Sequence, residues 1–304
     1  MRARGRFAPG DIRSHVPPPL SAPFATATPV EHERILQLAT GPAADPPDGV
    51  AFLDGTQRWI VERWIGIQPV VRAHVAAAVL RRVGGALSEA DSDFEEFRVV
   101  PRHRVPADWL AELGNQEMAV LDAGGDDRAH PLLDLRQAAL RVEGRRAALE
   151  RKLAARYLAA RGGEWLVVDG SIDDLTATTS AGAALLGLVK SHDTQYLDGA
   201  DLEAALTLPE GHRTSVFARE SGERGRVFTW YLRLWPWDDH DLLHGLVRVE
   251  RPPEDDAVAT ASEVSRWLLA ERAPLAAPDE RWDRLLYPIR RVETYLGAQA
   301  GGWW

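Results

Sequence analysis

The chain has 304 residues, a formal net charge of −9 and no cysteine. The lack of cysteine excludes disulfide bonds, zinc–cysteine sites, iron–sulfur clusters and cysteine nucleophiles. The acidic balance argues against a protein that coats nucleic acid nonspecifically, because phosphate binding favours a net positive charge. A local basic groove would still be compatible with DNA.

The first 48 residues are predicted to form an arm and a linker. Residues 1–30 are rich in proline, arginine and alanine, a composition typical of segments that form no core of their own. A short helix is expected at 31–39, and residues 42–48 indicate a linker. The rest, residues 49–304, is expected to be one folded domain. The sequence has no apolar run long enough for a signal peptide or a membrane span, which favours a soluble cytoplasmic protein.

The folded part opens with apolar runs that favour β-structure. Residues 50–53 indicate a buried strand that closes at Asp54-Gly55. Residues 58–67 indicate a second strand, paired with the first through a turn at Asp54-Gly55. Two further segments are predicted as strands, the first with a helix as its alternative: 69–83 and 97–105.

The clearest helix is predicted at 132–161, where alanine, leucine, arginine and glutamate dominate between Pro131 and a Gly-Gly pair. Such a helix is long enough to act as a crossover, so the next strand, 165–169, can run parallel to an earlier one. The predicted fold class is therefore α/β, with a mixed sheet and flanking helices. Later strands are expected at 184–190, 213–218, 226–234 and 242–250, and later helices at 256–271 and 288–298.

Two predicted strands each end in Asp-Gly, at Asp54-Gly55 and at Asp169-Gly170. An aspartate at the carboxyl end of a buried strand lies at a sheet rim, where α/β proteins bind ligands. Two neighbouring carboxylates repel each other unless a cation compensates them, and oxygen ligands favour Mg²⁺ or Mn²⁺. A turn is the alternative for either Asp-Gly alone. The pair together favours a metal site.

Other charged residues are candidates for the same chemistry. The crossover helix offers Glu150 and, one heptad earlier, Glu143, although each alone is more typical of a solvated helix face. Lys190, one of only two lysines, closes a strand and suits a phosphate contact, with a surface lysine as the alternative. Arg213 and Arg233 lie near aromatic residues, a combination that suits single-stranded nucleic acid or, as the alternative, packing on a sheet face.

Together these motifs resemble the NurA family of DNA-repair nucleases. The resemblance spans about residues 49–298 and is strongest at the second Asp-Gly-Ser and at the Gly-x-x-Lys-Ser strand. The segments that carry it, in chain order, are Leu53-Asp54-Gly55-Thr56, Glu150, Val168-Asp169-Gly170-Ser171, Gly187-Leu188-Val189-Lys190-Ser191 and Leu286-Tyr287-Pro288-Ile289.

The resemblance implies an RNase H-like mixed sheet and Mn²⁺- or Mg²⁺-dependent cleavage of DNA, with two ions and with exonuclease and single-strand endonuclease activity. It also implies a homodimer docked on a HerA-like hexameric ATPase, acting in DNA end processing, repair or phage defence. By match to the family, Asp54, Glu150 and Asp169 would be metal ligands, Tyr287 would lie at the same site, and Lys190 would offset charge on the scissile phosphate.

One departure from the family pattern stands out. The family tends to have a histidine shortly after Tyr-Pro, whereas here no histidine follows His244 and Glu293 is the nearest polar candidate. A catalytically inactive structural or DNA-binding subunit of such an ATPase complex is therefore the main alternative. A phosphohydrolase or kinase-like enzyme is a second alternative, although the chain has no P-loop motif. The terminal Trp303-Trp304 and the arginines of the arm are candidate partner contacts.

Overall fold

A computed structural model describes residues 25–115, 118–125, 130–176, 184–192, 194–220, 226–254, 256–273 and 282–300. Within these residues there are twelve β-strands, with both parallel and antiparallel pairings, and six α-helices. This arrangement confirms the predicted α/β class. The arm residues 1–24 and Trp303-Trp304, for which partner contacts were predicted, lie outside the described residues.

The strands are β1 (Ala27–Pro29), β2 (Gln37–Ala39), β3 (Ala51–Ile65), β4 (Gln68–Val83), β5 (Ala86–Val100), β6 (Ala119–Asp122), β7 (Leu166–Asp169), β8 (Leu185–Val189), β9 (His212–Thr214), β10 (Phe217–Glu220), β11 (Arg226–Arg233) and β12 (Leu246–Arg251). The helices are α1 (Ala107–Gly114), α2 (Pro131–Ala160), α3 (Asp173–Thr176), α4 (Gly199–Leu206), α5 (Ala257–Ala270) and α6 (Tyr287–Gln299). In the described part of the chain, no helix combines the length and hydropathy needed to cross a lipid bilayer.

The chain divides into two compact units, and each is built from three separate segments. The first unit comprises the residues up to Phe52, Arg82–Ala86 and Arg161–Arg290. The second unit comprises Leu53–Arg81, Leu87–Ala160 and the residues from Arg291 onward.

In the first unit the strand order is β1-β10-β11-β12-β8-β7, and β2 joins through β9. The neighbouring pairs from β1 to β8 are antiparallel, whereas β7 and β8 are parallel. A cluster of fully or largely buried side chains, including Leu208, Phe217 and Leu246, fills the space beside α4. Because β7 and β8 are parallel, their carboxyl ends lie at the same edge of the sheet.

In the second unit the order is β3-β4-β5-β6, with β5 and β6 parallel. A two-residue turn that contains Gly66, whose φ is +61°, joins β3 to β4. The helix α2 presents one buried face, from Ala138 through Val142 and Leu149 to Leu153. Three of its cations pair with acids of β5: Arg145–Glu95, Lys152–Asp93 and Arg156–Asp91.

Two local predictions are wrong. The strand β3 runs without interruption through Asp54-Gly55, so the predicted turn at this point does not exist. Residues 31–39 form no helix, and instead Gln37–Ala39 pairs with His212–Thr214 as the strand β2. In both cases a contact that matters lies far away in the sequence, because β2 pairs with β9 and Glu150 packs on Gly55.

Candidate functional site

In the first unit, an aspartate and a lysine meet at the end of the parallel pair. Asp169 is the last residue of β7 and is in register with Leu188 of β8. Lys190 follows β8 directly, and its Nζ lies 2.7 Å from Asp169 Oδ1. Both side chains are mostly buried, with 13% exposure for Lys190 and 19% for Asp169. The predicted strand-end positions of both residues are therefore correct, and the structure brings the two residues together.

The glycines around this pair are required by close packing. Gly170 has a φ of +125°, which side chains rarely allow, and its amide donates to the carbonyl of Leu188. An ideal Cβ on Gly187 would lie only 2.7 Å from the Gly170 carbonyl oxygen. The Gly-x-x-Lys motif thus serves two purposes, because Gly187 leaves room for the turn after Asp169 and Lys190 faces the Asp169 carboxylate.

A buried network that the sequence analysis did not single out supports the same turn. Glu250 of β12 has no exposed surface, and its Oε2 accepts from Ser171 Oγ at 2.9 Å and from the Ile172 amide at 3.1 Å. Its Oε1 accepts from Arg219 Nε at 2.9 Å and also contacts Arg248. The alternating sequence Leu-Val-Arg-Val-Glu-Arg could have indicated this network, because alternate residues of a strand share a face and Arg248 and Glu250 are therefore neighbours.

In the second unit, three carboxylates gather around Asp54-Gly55. Asp54 is buried, with 6% exposure, and its Oδ1 accepts from the Gly55 amide at 2.7 Å. A Glu293 carboxylate oxygen lies within 4.8 Å of one from Asp54. A Cβ on Gly55 would lie 2.9 Å from Glu150 Cδ, so the Glu150 side chain packs directly on this glycine. Gly55 is therefore required by this close approach rather than by a turn.

The neighbours of Glu150 show a local charge balance. Arg146, one turn earlier on α2, forms an ion pair with Glu150, and its Nε donates to Gln57 Oε1 at 3.3 Å. The Glu150 side chain is only 14% exposed. Glu143, the other predicted candidate on this helix, is exposed. Of the two glutamates, Glu150 is the one that the structure places beside Asp54-Gly55.

Comparison with known proteins finds matches among solved structures. No protein-family model and no curated protein matches the chain. Among solved structures, the NurA nuclease from Sulfolobus solfataricus matches with a TM-score of 0.51 and 13% sequence identity, covering 84% of this chain and 80% of that one. The chain shares the fold of that nuclease.

This shared fold confirms the fold class predicted from the sequence, and at 13% identity it shows the fold alone. The catalytic domain of human endonuclease V, in a variant with four cysteines replaced, also matches with 14% identity. That match covers 83% of this chain and 82% of that one, but its TM-score of 0.35 is too low to support an argument.

The remaining member of the predicted site, Tyr287, lies at the start of α6. Its amide donates to the Glu271 carbonyl at 2.7 Å, and its side chain is 47% exposed. The exposed ring is accessible to a ligand. Its place at the metal site in the NurA fold stays a prediction.

The two arginines predicted to bind DNA are occupied inside the first unit. Arg213 is 3% exposed, and its guanidinium forms a bidentate ion pair with Glu31. Arg233 is fully buried, and its donors face backbone carbonyls only, those of Leu206, Leu208, Leu242 and His244. Neither side chain faces solvent, so we correct this interpretation: both arginines hold the fold together, which is the alternative that the sequence left open.

His192, two residues after Lys190, also has a structural role. Its Nε2 lies 3.1 Å from the Leu246 carbonyl oxygen, which assigns the ring proton to Nε2, and its ring stacks on Tyr231. Burial lowers the pKa of His192 to about 4, although the hydrogen bond to Leu246 opposes this shift. The ring is therefore neutral at neutral pH and offers no charge to a ligand.

Proposed function

We propose that this chain is a divalent-metal-dependent deoxyribonuclease with exonuclease and single-strand endonuclease activity. One observation carries the proposal, namely that Asp54 and Glu293, both in the second unit, each offer a carboxylate oxygen within 4.8 Å of the other. Hard oxygen donors of this kind fit Mn²⁺ or Mg²⁺. The fold shared with a NurA nuclease supports the choice of reaction.

The proposed roles are those that the sequence resemblance implies. Asp54, Asp169 and Glu150 are metal ligands, and Glu293 joins them. When bound, divalent cations lower the pKa of a coordinated water and stabilise charge on the scissile phosphate. Lys190 contributes a fixed positive charge for that phosphate, and Tyr287 lies at the same site.

We further propose the partners that the sequence resemblance implies. The nuclease acts on DNA as a homodimer docked on a HerA-like hexameric ATPase that translocates DNA, in end processing, repair or phage defence. With Arg213 and Arg233 buried, few of the predicted cations remain for DNA. Weak DNA binding by the isolated protein is therefore expected, with the ATPase providing most of the affinity.

Cleavage of labelled linear DNA in Mn²⁺ tests the proposal. Asp54→Asn and Asp169→Asn should abolish cleavage while the protein stays folded, as its circular dichroism spectrum would show. Glu150→Gln should reduce cleavage strongly, and Glu143→Gln, on an exposed position of the same helix, is its matched control and should have no effect. Cleavage at the wild-type rate by both folded aspartate variants would refute the assignment.

An inactive subunit of the same ATPase complex is the second candidate. The observation that favours it is the lack of any histidine after His244, so that Glu293 is the nearest candidate to replace it. The same purified protein, mixed with its cognate ATPase and linear DNA, separates the two functions. Co-elution with the ATPase without any Mn²⁺-dependent cleavage would establish the inactive subunit.

A further inference from the structure

The fully buried Glu250 lies at the centre of the network described above, and its charge is unusual for such a position. Removing a carboxylate from water costs several kcal/mol unless ion pairs and hydrogen bonds compensate it. Here Arg219 and Arg248 supply the compensating charges, and both are themselves buried. Because apolar residues commonly fill such a space at no loss of stability, the network points to a role in positioning.

All of these contacts converge on the turn that follows Asp169. Glu250 Oε2 accepts from the Ser171 hydroxyl and from the Ile172 amide. Arg219 closes the loop, since its Nη2 donates to Ser171 Oγ at 3.0 Å and to Asp173 Oδ1 at 2.7 Å. Three consecutive residues, 171–173, are thus held by one carboxylate and one guanidinium.

The sheet register adds an independent constraint on the same turn. Glu250 pairs with Gly187 of β8, and a Cβ on Gly187 would lie 3.3 Å from Glu250 Cβ and 2.7 Å from the Gly170 carbonyl oxygen. The turn is therefore held between the side-chain network on β12 and the bare backbone of β8. Asp169, which begins this turn, has little freedom to move.

We propose that Glu250, acting with Arg219, is a positioning residue that holds Asp169 in place for metal binding. This inference rests on the proposed function, in which Asp169 is a ligand. A carboxylate ligand that is free to move binds a cation less tightly, and loss of an outer-shell partner commonly costs 10–100-fold in metal affinity.

Calorimetric titration of the full-length protein with Mn²⁺, without DNA, tests the inference. Glu250→Gln keeps the size of the side chain but removes its charge, and it should raise the Kd for Mn²⁺ by about 10–100-fold. Glu31→Gln is the matched control, because Glu31 also accepts from a buried arginine and from a backbone amide in the same unit. It should change the Kd by less than about twofold, even if it lowers the unfolding midpoint.

Cleavage measurements distinguish positioning from ligation. Saturating Mn²⁺ should restore most of the activity of Glu250→Gln but none of the activity of Asp169→Asn. If Glu250→Gln fails to fold, Ser171→Ala, at an exposed position, takes its place and should weaken Mn²⁺ binding by a smaller factor.

If folded Glu250→Gln binds Mn²⁺ with wild-type affinity, the inference is wrong, although the proposed function still stands. If Glu250→Gln does not fold, wild-type Mn²⁺ affinity in Ser171→Ala leads to the same conclusion. An equal loss in Glu31→Gln would also overturn it, because the effect would then be general destabilisation. No Mn²⁺ binding by the wild-type protein would overturn the proposed function and the inference together.

Discussion

Replacing Gly187 with alanine should destabilise the first unit through one defined clash. The added Cβ would lie 2.7 Å from the carbonyl oxygen of Gly170 and 3.0 Å from Ile172 Cγ2. Carbon and oxygen atoms normally come no closer than about 3.3 Å, so one of the two backbones must move by roughly 0.5 Å. A backbone carbonyl cannot rotate away as a side chain can, and overpacking of this kind costs about 1–3 kcal/mol.

Thermal unfolding followed by circular dichroism measures this cost. At about 3 °C per kcal/mol for a protein of this size, the midpoint of Gly187→Ala should fall by about 3–9 °C. Gly144→Ala is the matched control, since Gly144 lies within α2 and a Cβ there would meet no heavy atom of the described residues within 4 Å. This variant should be stabilised by about 0.5–1 kcal/mol because alanine favours the helix.

A midpoint for Gly187→Ala at or above that of the wild type, with Gly144→Ala stabilised as expected, would contradict this prediction. In that case the turn after Asp169 would be able to move without cost. The packing account of the Gly-x-x-Lys motif would then be wrong.

Three further predictions concern other residues. Glu31→Ala should lower the free energy of unfolding in urea by about 3–5 kcal/mol, because it leaves buried Arg213 unpaired; a loss below about 1 kcal/mol would contradict this. The pKa of His192 is lowered to about 4 by burial, so the unfolded chain takes up a proton first as the pH falls. The free energy of unfolding should therefore keep its full value above pH 6.5 and fall by about 3 kcal/mol towards pH 4. The variant His192→Gln should show a shallower decline over the same pH range. Lys190→Met should lower the kcat of Mn²⁺-dependent cleavage by about 10²–10³-fold while the protein stays folded, and an unchanged kcat would exclude Lys190 from the chemistry.

Elements with strong local signals were predictable from the sequence. The helix α2 follows from its composition and its flanking Pro131 and Gly-Gly pair, and its bounds match the prediction within a residue. The short strands β7 and β8 follow from apolar runs bounded by polar residues. Because these signals depend only on neighbours in the sequence, they needed no knowledge of what the elements pack against.

Asp54-Gly55 shows why the same kind of reasoning failed elsewhere. An Asp-Gly pair after an apolar run predicts a turn, since glycine tolerates turn geometry. Here the glycine is needed because Glu150 packs on it, from 95 residues further along the chain. The sequence correctly indicates that a glycine is needed after Asp54. It does not show the reason, because that reason is a contact with a residue that is distant in the sequence.

The misassigned arginines have a similar explanation. An arginine on a strand near aromatic residues has the same sequence pattern whether it faces a phosphate or an internal carbonyl. Arg233 satisfies its donors on carbonyls from two separate segments, and Arg213 pairs with Glu31. Only the folded arrangement shows that these cations are buried.

The pairing of the early strands has a consequence for synthesis of the protein on the ribosome. Ala27–Pro29 pairs with Phe217–Arg219, and Glu31 is 182 residues away from its partner Arg213. At translation rates of about 5–20 residues per second, the early strands wait about 10–40 s for their partners. During that interval their backbone groups remain open to other nascent chains, so this protein is expected to depend on chaperones early in its synthesis.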